Sequence, residues 1–543
     1  MGHRLALDSV AVRDSRLFGW GWFLDDAAPA DRIELAIRLV DGAKRLSRCP
    51  QAGSRPDLAE AFPLVAHAAG GGFMLQARLP NRADIERIEL HVQLRNGEVL
   101  RLHLPQIEHA CNSEDLDPGA IPCGVGKGRW RTAWELVRGS QWRALWQLMK
   151  DFVLRRLAPV HASVAPRPAP RDGRAAWVMF DHAMGGGTNR FREERIAEWC
   201  VAGIEVTLVT PVLATLEYEV SRFGEEGLLH SRRHPGLGDC LGSLGRFERI
   251  VVNNLASYDD PLQVLAWAGA RRAQGAALRF YLHDFHAACP VWTLIDDEGK
   301  YCGLPRFERC ATCLPANPGL FLAMMPSLDM PGWRHAWGGF LRAADEIVGF
   351  SASSIGILRQ AYPELDPARI ELRPHSTTYL GEPPPAFQPR LGEVATIGVV
   401  GAISEPKGAR VIGEMVRLIE SRCLPVRIVV IGSIDGVPPS PALRVTGPYQ
   451  SRDLPDLLAR EQVAIAFLPS VVHETFSYVT AELMHYRVPL AVFDLGAPAE
   501  RVRGYDRGRI IPLVDAQAAL DELLAFHREL SAAMAGDPPT DAP

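Results

Sequence analysis

Long apolar segments are absent from this chain of 543 residues, and no run approaches the ~20 residues that a membrane-spanning helix needs. The N-terminal segment lacks the apolar core of a secretion signal, so a cytoplasmic location is expected. Ten cysteines are too few for a disulfide scaffold in a chain this long, which favours a reducing compartment. A net charge of −5 argues against general binding to nucleic acid.

Two motifs of nucleotide chemistry are also missing. The spacing Gly-x-Gly-x-x-Gly does not follow the first strand of the α/β part, so nicotinamide binding is not expected. No Asp-x-Asp stands at a convincing α/β strand end, because Asp115-Leu116-Asp117 falls in a predicted bridge. We therefore expect no metal cofactor in catalysis.

Residues 1–110 have the pattern of an all-β accessory module. Strict alternation over 32–39 and 87–94, with a hairpin turn at Asn96-Gly97, predicts a small antiparallel sandwich. The aromatic residues of 18–23 form either a sugar-stacking platform or the core and edge of this sandwich, and we favour the second interpretation.

A helical bridge and a Pro/Ala-rich linker are predicted over 111–172. The segment 129–157 is a basic, Trp-rich amphipathic helix. Such a helix either lies on an anionic membrane surface or packs as a linker on the body of the protein, and its amphipathic pattern does not decide between them.

The rest of the chain alternates strands and helices, which predicts α/β structure. A break at Pro383-Pro384-Pro385 separates two series, 173–385 and 386–543. We expect two doubly wound Rossmann-like domains, with a last helix over about 516–534 crossing back to the first.

The most informative stretch holds Glu474 and Glu482, eight positions apart, between two apolar runs that predict buried parallel strands. Ser477 is a suitable N-cap for a helix over 478–486. Glu474 would then lie in the loop and Glu482 on the helix, with a phosphate-binding helix N-terminus between them. A nucleotide sugar carries the hydroxyls and phosphates that such a place suits.

Three further segments follow predicted strands of the two series. Gly185-Gly186-Gly187-Thr188 follows the first strand, where glycines let backbone amides approach a phosphate. His283-Asp284 ends a strand on the side where α/β sheets hold ligands. Lys407-Gly408 follows the first strand of the second series, and a lysine there can balance a leaving diphosphate.

Together these motifs resemble the family 4 glycosyltransferases, which are retaining enzymes of the two-Rossmann GT-B fold. The resemblance covers about 175–515 and is closest to a bacterial surface-polysaccharide (O-antigen/rhamnan-type) subgroup, some of whose members carry β-sandwich extensions. Two positions depart from the family pattern: Arg487 stands where the family usually has Gly, and Ala402 replaces an expected Arg. Either another basic side chain such as Arg410 substitutes for that Arg, or activity has decayed. We favour substitution.

The resemblance implies a metal-independent transfer of a sugar from a nucleotide-sugar donor to a glycan or lipid-linked acceptor at the inner face of the membrane. Glu474 would bind the sugar hydroxyls, Lys407 the diphosphate, and His283 would stabilise the reacting sugar. The remaining donor-binding residues would be Gly186, Gly187, Phe476, Ser477, Tyr478 and, for the ribose, Glu482. A GT-B-type nucleotide-sugar epimerase and an inactive glycan-binding or scaffold homologue are the alternatives.

Four cysteines lie in one insertion after His283 with the pattern Cys-x12-Cys-x7-Cys-x2-Cys. Four thiolates ending in Cys-x2-Cys are the make-up of a structural zinc site, although this spacing is not a standard ribbon. Free buried thiols or a disulfide are the alternatives. The candidate zinc ligands are Cys289, Cys302, Cys310 and Cys313.

Overall fold

The computed structural model describes residues 2–51, 55–65, 67–112, 175–184, 186–326 and 329–535. The predicted bridge over 111–172 therefore lies almost wholly outside the described residues, and its helix over 129–157 lies entirely outside them. Gly185 and the last eight residues also lie outside the described part.

Residues up to 112 form two antiparallel sheets around one buried cluster. The strand orders are β1-β2-β5 and β4-β3-β6-β7, and side chains of both sheets, such as Leu17 and Leu90, share the core. Gly97, with φ of 91°, makes the predicted turn between β6 and β7. The strands are β1 His3–Arg13, β2 Arg16–Asp25, β3 Ala30–Leu39, β4 Lys44–Arg48, β5 Gly72–Arg78, β6 Ile85–Leu94 and β7 Val99–His103. The helices are α1 Pro56–Ala61 and α2 Pro105–Asn112.

The second unit is a mixed sheet with helices packed against it. Its strand order is β11-β10-β9-β8-β12-β13-β14-β15, with β8, β9 and β12–β15 parallel and the β9-β10-β11 edge antiparallel. Sequence periodicity had indicated all of these strands except β10 and β11. The strands are β8 Ala176–Phe180, β9 Glu205–Val212, β10 Glu217–Gly224, β11 Gly227–His234, β12 Arg249–Val252, β13 Ala277–Leu282, β14 Glu346–Gly349 and β15 Ile370–Leu372. The helices are α3 Gly187–Val201, α4 Leu237–Ser243, α5 Pro261–Arg272, α6 Phe307–Ala316, α7 Met330–Ala343 and α8 Ala352–Ala361.

The third unit is a wholly parallel sheet of order β18-β17-β16-β19-β20-β21. Its four central strands are near-continuous apolar runs, as expected of a sheet covered on both faces. The strands are β16 Ala395–Ile403, β17 Val426–Ile434, β18 Leu443–Val445, β19 Ile465–Leu468, β20 Leu490–Phe493 and β21 Gly508–Ile511. The helices are α9 Ala409–Ser421, α10 Leu454–Arg460, α11 Tyr478–His485, α12 Gly496–Val502 and α13 Ala516–Ala535.

Short 3-10 turns complete the described secondary structure. They are Ala68–Gly70, Arg82–Asp84, Leu322–Met324, Pro367–Arg369, Thr378–Leu380, Glu405–Lys407 and Ser451–Asp453. The predicted fold class, two Rossmann-like α/β domains behind an antiparallel β region, is confirmed.

The last helix differs from its prediction. Side chains on the buried side of α13, among them Leu520, Leu523 and Phe526, belong to the core of the third unit. Within the described residues, α13 thus packs on its own domain rather than crossing to the preceding one, because its apolar face matches α9 and β21.

The aromatic strip of β2 is used for packing. Phe18 is buried against Phe321 of the second unit at 5.7 Å between ring centroids, whereas Phe23 lies in the core of the β region. The side-chain amide of Gln76 donates to the carbonyl of Gly319 and accepts from the backbone amide of Phe321. The β region is therefore fixed to the segment that follows the cysteine-rich insertion, and its aromatic strip does not form a free platform.

Candidate active site

The loop between β19 and α11 carries the two glutamates. The Ser477 side chain accepts a hydrogen bond from the backbone amide of Thr480, which confirms the predicted N-cap. Ser477 itself has φ of 151°, an uncommon value for a residue with a side chain. Strained backbone of this kind concentrates at ligand-binding sites.

Glu482 is a buried carboxylate, 7% exposed, held by two tyrosines. Tyr379, in the connection between the α/β domains, donates its hydroxyl to Oε1 at 3.0 Å. Tyr449 donates to Oε2 at 3.5 Å. Burial, followed by the Glu482 charge, raises the pKa of both phenols, so both remain donors at neutral pH. Neither tyrosine was predicted from the sequence, since both lie far from Glu482 along the chain.

Glu474 is half-buried, and its carboxylate has no partner among the described residues. Its backbone is fixed by α12: the Glu474 carbonyl accepts from the amide of Ala497 at 2.9 Å. Gly496 has φ of 66°, and a Cβ there would lie 2.8 Å from the Glu474 nitrogen. Only glycine suits this close approach, so the loop position depends on Gly496.

His283 follows the end of β13 and reaches the same loop from the other domain. Its Nε2 lies 2.9 Å from Oδ1 of Asn253, and the hydroxyl of Thr475 donates to its carbonyl at 2.7 Å. Burial, with smaller effects of His375 and His182, lowers the pKa of His283, so its imidazole is neutral. His375, stacked on Phe350 and 5.5 Å from the His283 ring, is a second neutral imidazole that sequence reasoning missed.

The glycine-rich loop of the first α/β domain touches the start of α11. A Cβ on Gly187 would lie 2.8 Å from a ring carbon of Tyr478. Gly186, with φ of 85°, turns the chain into α3. One turn into that helix, the guanidinium of Arg190 lies over the Tyr379 ring at 3.7 Å. Gly187 thus packs against Tyr478, the first residue of α11, and Arg190 is an additional charge on the same side of the cleft.

Lys407 lies in a short turn beside strand β19. Gly408, with φ of 90°, is packed so closely that a Cβ would lie 2.1 Å from the carbonyl oxygen of Pro469, just after that strand. Lys407 is exposed, whereas Arg410, the candidate substitute for the missing arginine, pairs with Glu405 at 3.4 Å on the surface.

Arg501 is a cation that sequence reasoning did not identify. It lies on α12, with its guanidinium carbon 4.9 Å from the Phe476 ring centroid. Its Nη1 donates to the Ser477 carbonyl at 3.4 Å. Its neighbour Glu500 accepts hydrogen bonds from the amides of Ala352 and Ser353 at the start of α8, which joins the two domains.

The four predicted zinc ligands converge in space. They line one cavity of about 260 Å³ in the insertion, and none is part of a disulfide. Burial raises the pKa of Cys289 to about 12, and the other three thiols contribute to this rise. Among residues that the structure describes, no three His, Cys, Asp or Glu side chains are arranged to hold a metal ion as they stand. Zinc binding stays a prediction.

A second cavity, of about 580 Å³, opens beside the Glu474 loop. Tyr301 of the insertion and Ser353 of the first domain line one side, and His473, Gly496 and Glu500 line the other. The cavity therefore lies between the domains, next to the loop that carries the free carboxylate of Glu474.

The second α/β domain matches a known family model. Residues 394–529 match the family model described as Glycosyl transferases group 1, and this segment contains Lys407, Glu474 and Glu482. No curated protein sequence matches the chain. The matched segment lies within the second α/β domain.

Several solved structures are similar to this chain at low sequence identity. Sucrose-phosphate synthase from Thermosynechococcus elongatus is 13% identical over 66% of this chain and 91% of that chain, with a TM-score of 0.41. HepE of Anabaena, in complex with UDP, is 13% identical over 66% and 90%, with a TM-score of 0.39. A glycosyltransferase from Rickettsia africae is 11% identical over 66% and 89%, with a TM-score of 0.42. Separately, no helix in the described part of this chain has the length and apolar character needed to span a membrane.

Proposed function

We propose that this protein is a retaining glycosyltransferase that moves a sugar from a nucleotide-sugar donor to a glycan or lipid-linked acceptor. The observation that carries the proposal is the pairing of two differently placed carboxylates in one interdomain cleft. Glu482 is buried and held by hydroxyl donors, whereas Glu474 has a free carboxylate next to a cavity. The first suits ribose hydroxyls, and the second suits the hydroxyls of a sugar.

The residues around this pair fit the steps of transfer. Lys407 and the amides at the start of α11 would neutralise the diphosphate as the bond from the sugar C1 to the phosphate oxygen breaks. The acceptor oxygen would attack C1 from the same face, and its proton would pass to the leaving phosphate. Configuration is then retained without a protein base. His283, neutral and with its Nε2–H held by Asn253, would accept a hydrogen bond from a hydroxyl of the reacting sugar at Nδ1 rather than supply a charge.

Several finer features belong to the same proposal. We infer that catalysis needs no metal and that the acceptor enters through the cavity beside His473. We infer a role in surface polysaccharide synthesis, with residues 129–157 touching the inner membrane surface from the cytoplasm. We also infer one structural zinc in the four-cysteine cavity, which would require the thiols to turn toward a common centre.

The decisive experiment incubates the protein with a panel of nucleotide sugars, with and without oligosaccharide or lipid-linked acceptors. We expect a new glycosidic bond whose anomeric configuration, determined by NMR, equals that of the donor. Inversion would overturn the retaining mechanism. An epimerised donor would point to the epimerase alternative, donor binding without turnover to the scaffold alternative, and a failure to bind any donor would refute the proposal.

A further inference from the structure

We propose that Arg501 binds the donor diphosphate and supplies the positive charge that is missing at Ala402. This inference rests on the proposed function, because it requires a nucleoside diphosphate in the cleft. It assigns to a residue of α12 a task that the sequence had led us to expect from Arg410.

The position of Arg501 is fixed from three sides. Its guanidinium packs over Phe476 and donates to the Ser477 carbonyl, so it lies beside the N-cap of α11. Helix α12 is locked to the glutamate loop by the close approach of Gly496 to Glu474. Near its other end, Glu500 binds the amides that begin α8. A charge held so rigidly next to free helix amides is preorganised for an anion.

The charge of Arg501 is not neutralised by the protein. In the described part of the chain, no carboxylate forms an ion pair with it, and adjacent Glu500 is occupied by backbone amides. Burial lowers the pKa of Arg501, with Tyr379 and Glu500 opposing this only in part. A partly desolvated guanidinium without an anionic partner gains strongly from a phosphate, whose oxygens match its planar set of donors.

Two other arginines fit the task less well. Arg410 is exposed and paired with Glu405 at 3.4 Å. Arg190, on the opposite wall of the cleft, bonds Glu194 at 3.0 Å and stacks on Tyr379, so its charge is already shared. Arg501 combines proximity to the Ser477 helix start with an uncompensated charge.

The test compares wild type, R501Q and the matched control R410Q. Wild type is first titrated calorimetrically with UDP, GDP, ADP and dTDP to find the diphosphate it binds. Each variant is then titrated with that diphosphate, and the corresponding nucleoside is measured by competition. We expect R501Q to weaken diphosphate binding at least about tenfold, as loss of a charged hydrogen bond predicts, with nucleoside affinity unchanged. R410Q should bind both as wild type does.

The outcomes separate this inference from the proposed function. If wild type binds none of the four diphosphates, the proposed function fails first. If wild type binds one and R501Q binds it equally well, the role of Arg501 is overturned. Equal losses for nucleoside and diphosphate would show that Arg501 only supports the loop, which also overturns it. Should R501Q fail to fold, R501M, which keeps an unbranched stem against Phe476, is judged by the same comparison.

Discussion

Replacing Glu482 by Gln is the sharpest test of the nucleotide site. The carboxylate is 7% exposed and accepts hydrogen bonds from Tyr379 and Tyr449. Glutamine keeps the size of the side chain but removes its charge and turns one acceptor into a donor. Ribose hydroxyls would then meet a neutral amide in a site that was arranged for a carboxylate.

The size of the effect follows from this burial. A hydrogen bond to a charged group contributes about 1.5–3 kcal/mol, which corresponds to about 10- to 150-fold in a dissociation constant. Water cannot easily replace the carboxylate at a buried position, so we expect the upper part of this range. One tyrosine can still donate to the amide oxygen, and the hydroxyl of the other can accept from the amide nitrogen, so folding should be disturbed less than binding.

The assay is calorimetric titration with the nucleoside diphosphate that wild type binds, combined with turnover of the matching nucleotide sugar. Glu474→Gln is the matched control: it should keep diphosphate affinity and lose turnover, because Glu474 is proposed to bind the hydroxyls of the donor sugar. Wild-type affinity in Glu482→Gln, or an equal loss of affinity in Glu474→Gln, would refute the division of roles between the two glutamates. Thermal unfolding of both variants checks that they are folded.

Four further outcomes are expected. Lys407→Ala should lower the transfer rate about 100-fold, as loss of one charge-stabilising group does; full activity in a rate assay would assign this task to another cation. Burial lowers the pKa of His286 to about 3 in the folded protein. As the pH falls below about 6.5, this histidine therefore binds a proton in the unfolded chain but not in the folded one. The free energy of unfolding should decrease by about 2 kcal/mol by pH 5 as a result. In denaturant titrations His286→Leu should flatten this loss, and the exposed His335→Leu should not; equal slopes would contradict the reasoning. Transfer should survive brief chelation, and an immediate loss of turnover that magnesium restores would contradict this. Elemental analysis of protein purified without chelators should find about one zinc per chain. Zinc at a small fraction of an equivalent would contradict the structural zinc site.

Sequence periodicity predicted the α/β units well because their strands are buried on both faces. A continuous apolar run such as Val488 to Phe493 is suited only to a strand in the interior of a sheet that is covered on both faces. The hairpin of β10 and β11 escaped prediction because β11 is almost wholly exposed. Its sequence therefore carries little apolar alternation. β21 is only four residues long and was missed for the same lack of signal.

Several of the predicted cleft residues share a feature: they follow a strand or begin a helix, and local chemistry marks such positions. Ser477 is an example, since its role as N-cap depends only on the next three residues. Tyr379, Tyr449 and Arg501 carry no such mark. Their meaning depends on which distant segment they approach, and Tyr379 meets Glu482 across 103 positions of sequence.

The candidate site is assembled from residues of two domains. Thr475 bonds the His283 carbonyl across the cleft, and Glu500 bonds the start of α8. Water can replace these polar contacts when the domains part. Phe476 differs, because it is buried in an apolar cluster with Phe191 and other side chains of the first α/β domain. Withdrawing it exposes a large ring, at a cost of roughly 1.5–3 kcal/mol. Since the same loop carries Glu474 and the N-cap of α11, we expect any motion that withdraws Phe476 to displace both of them.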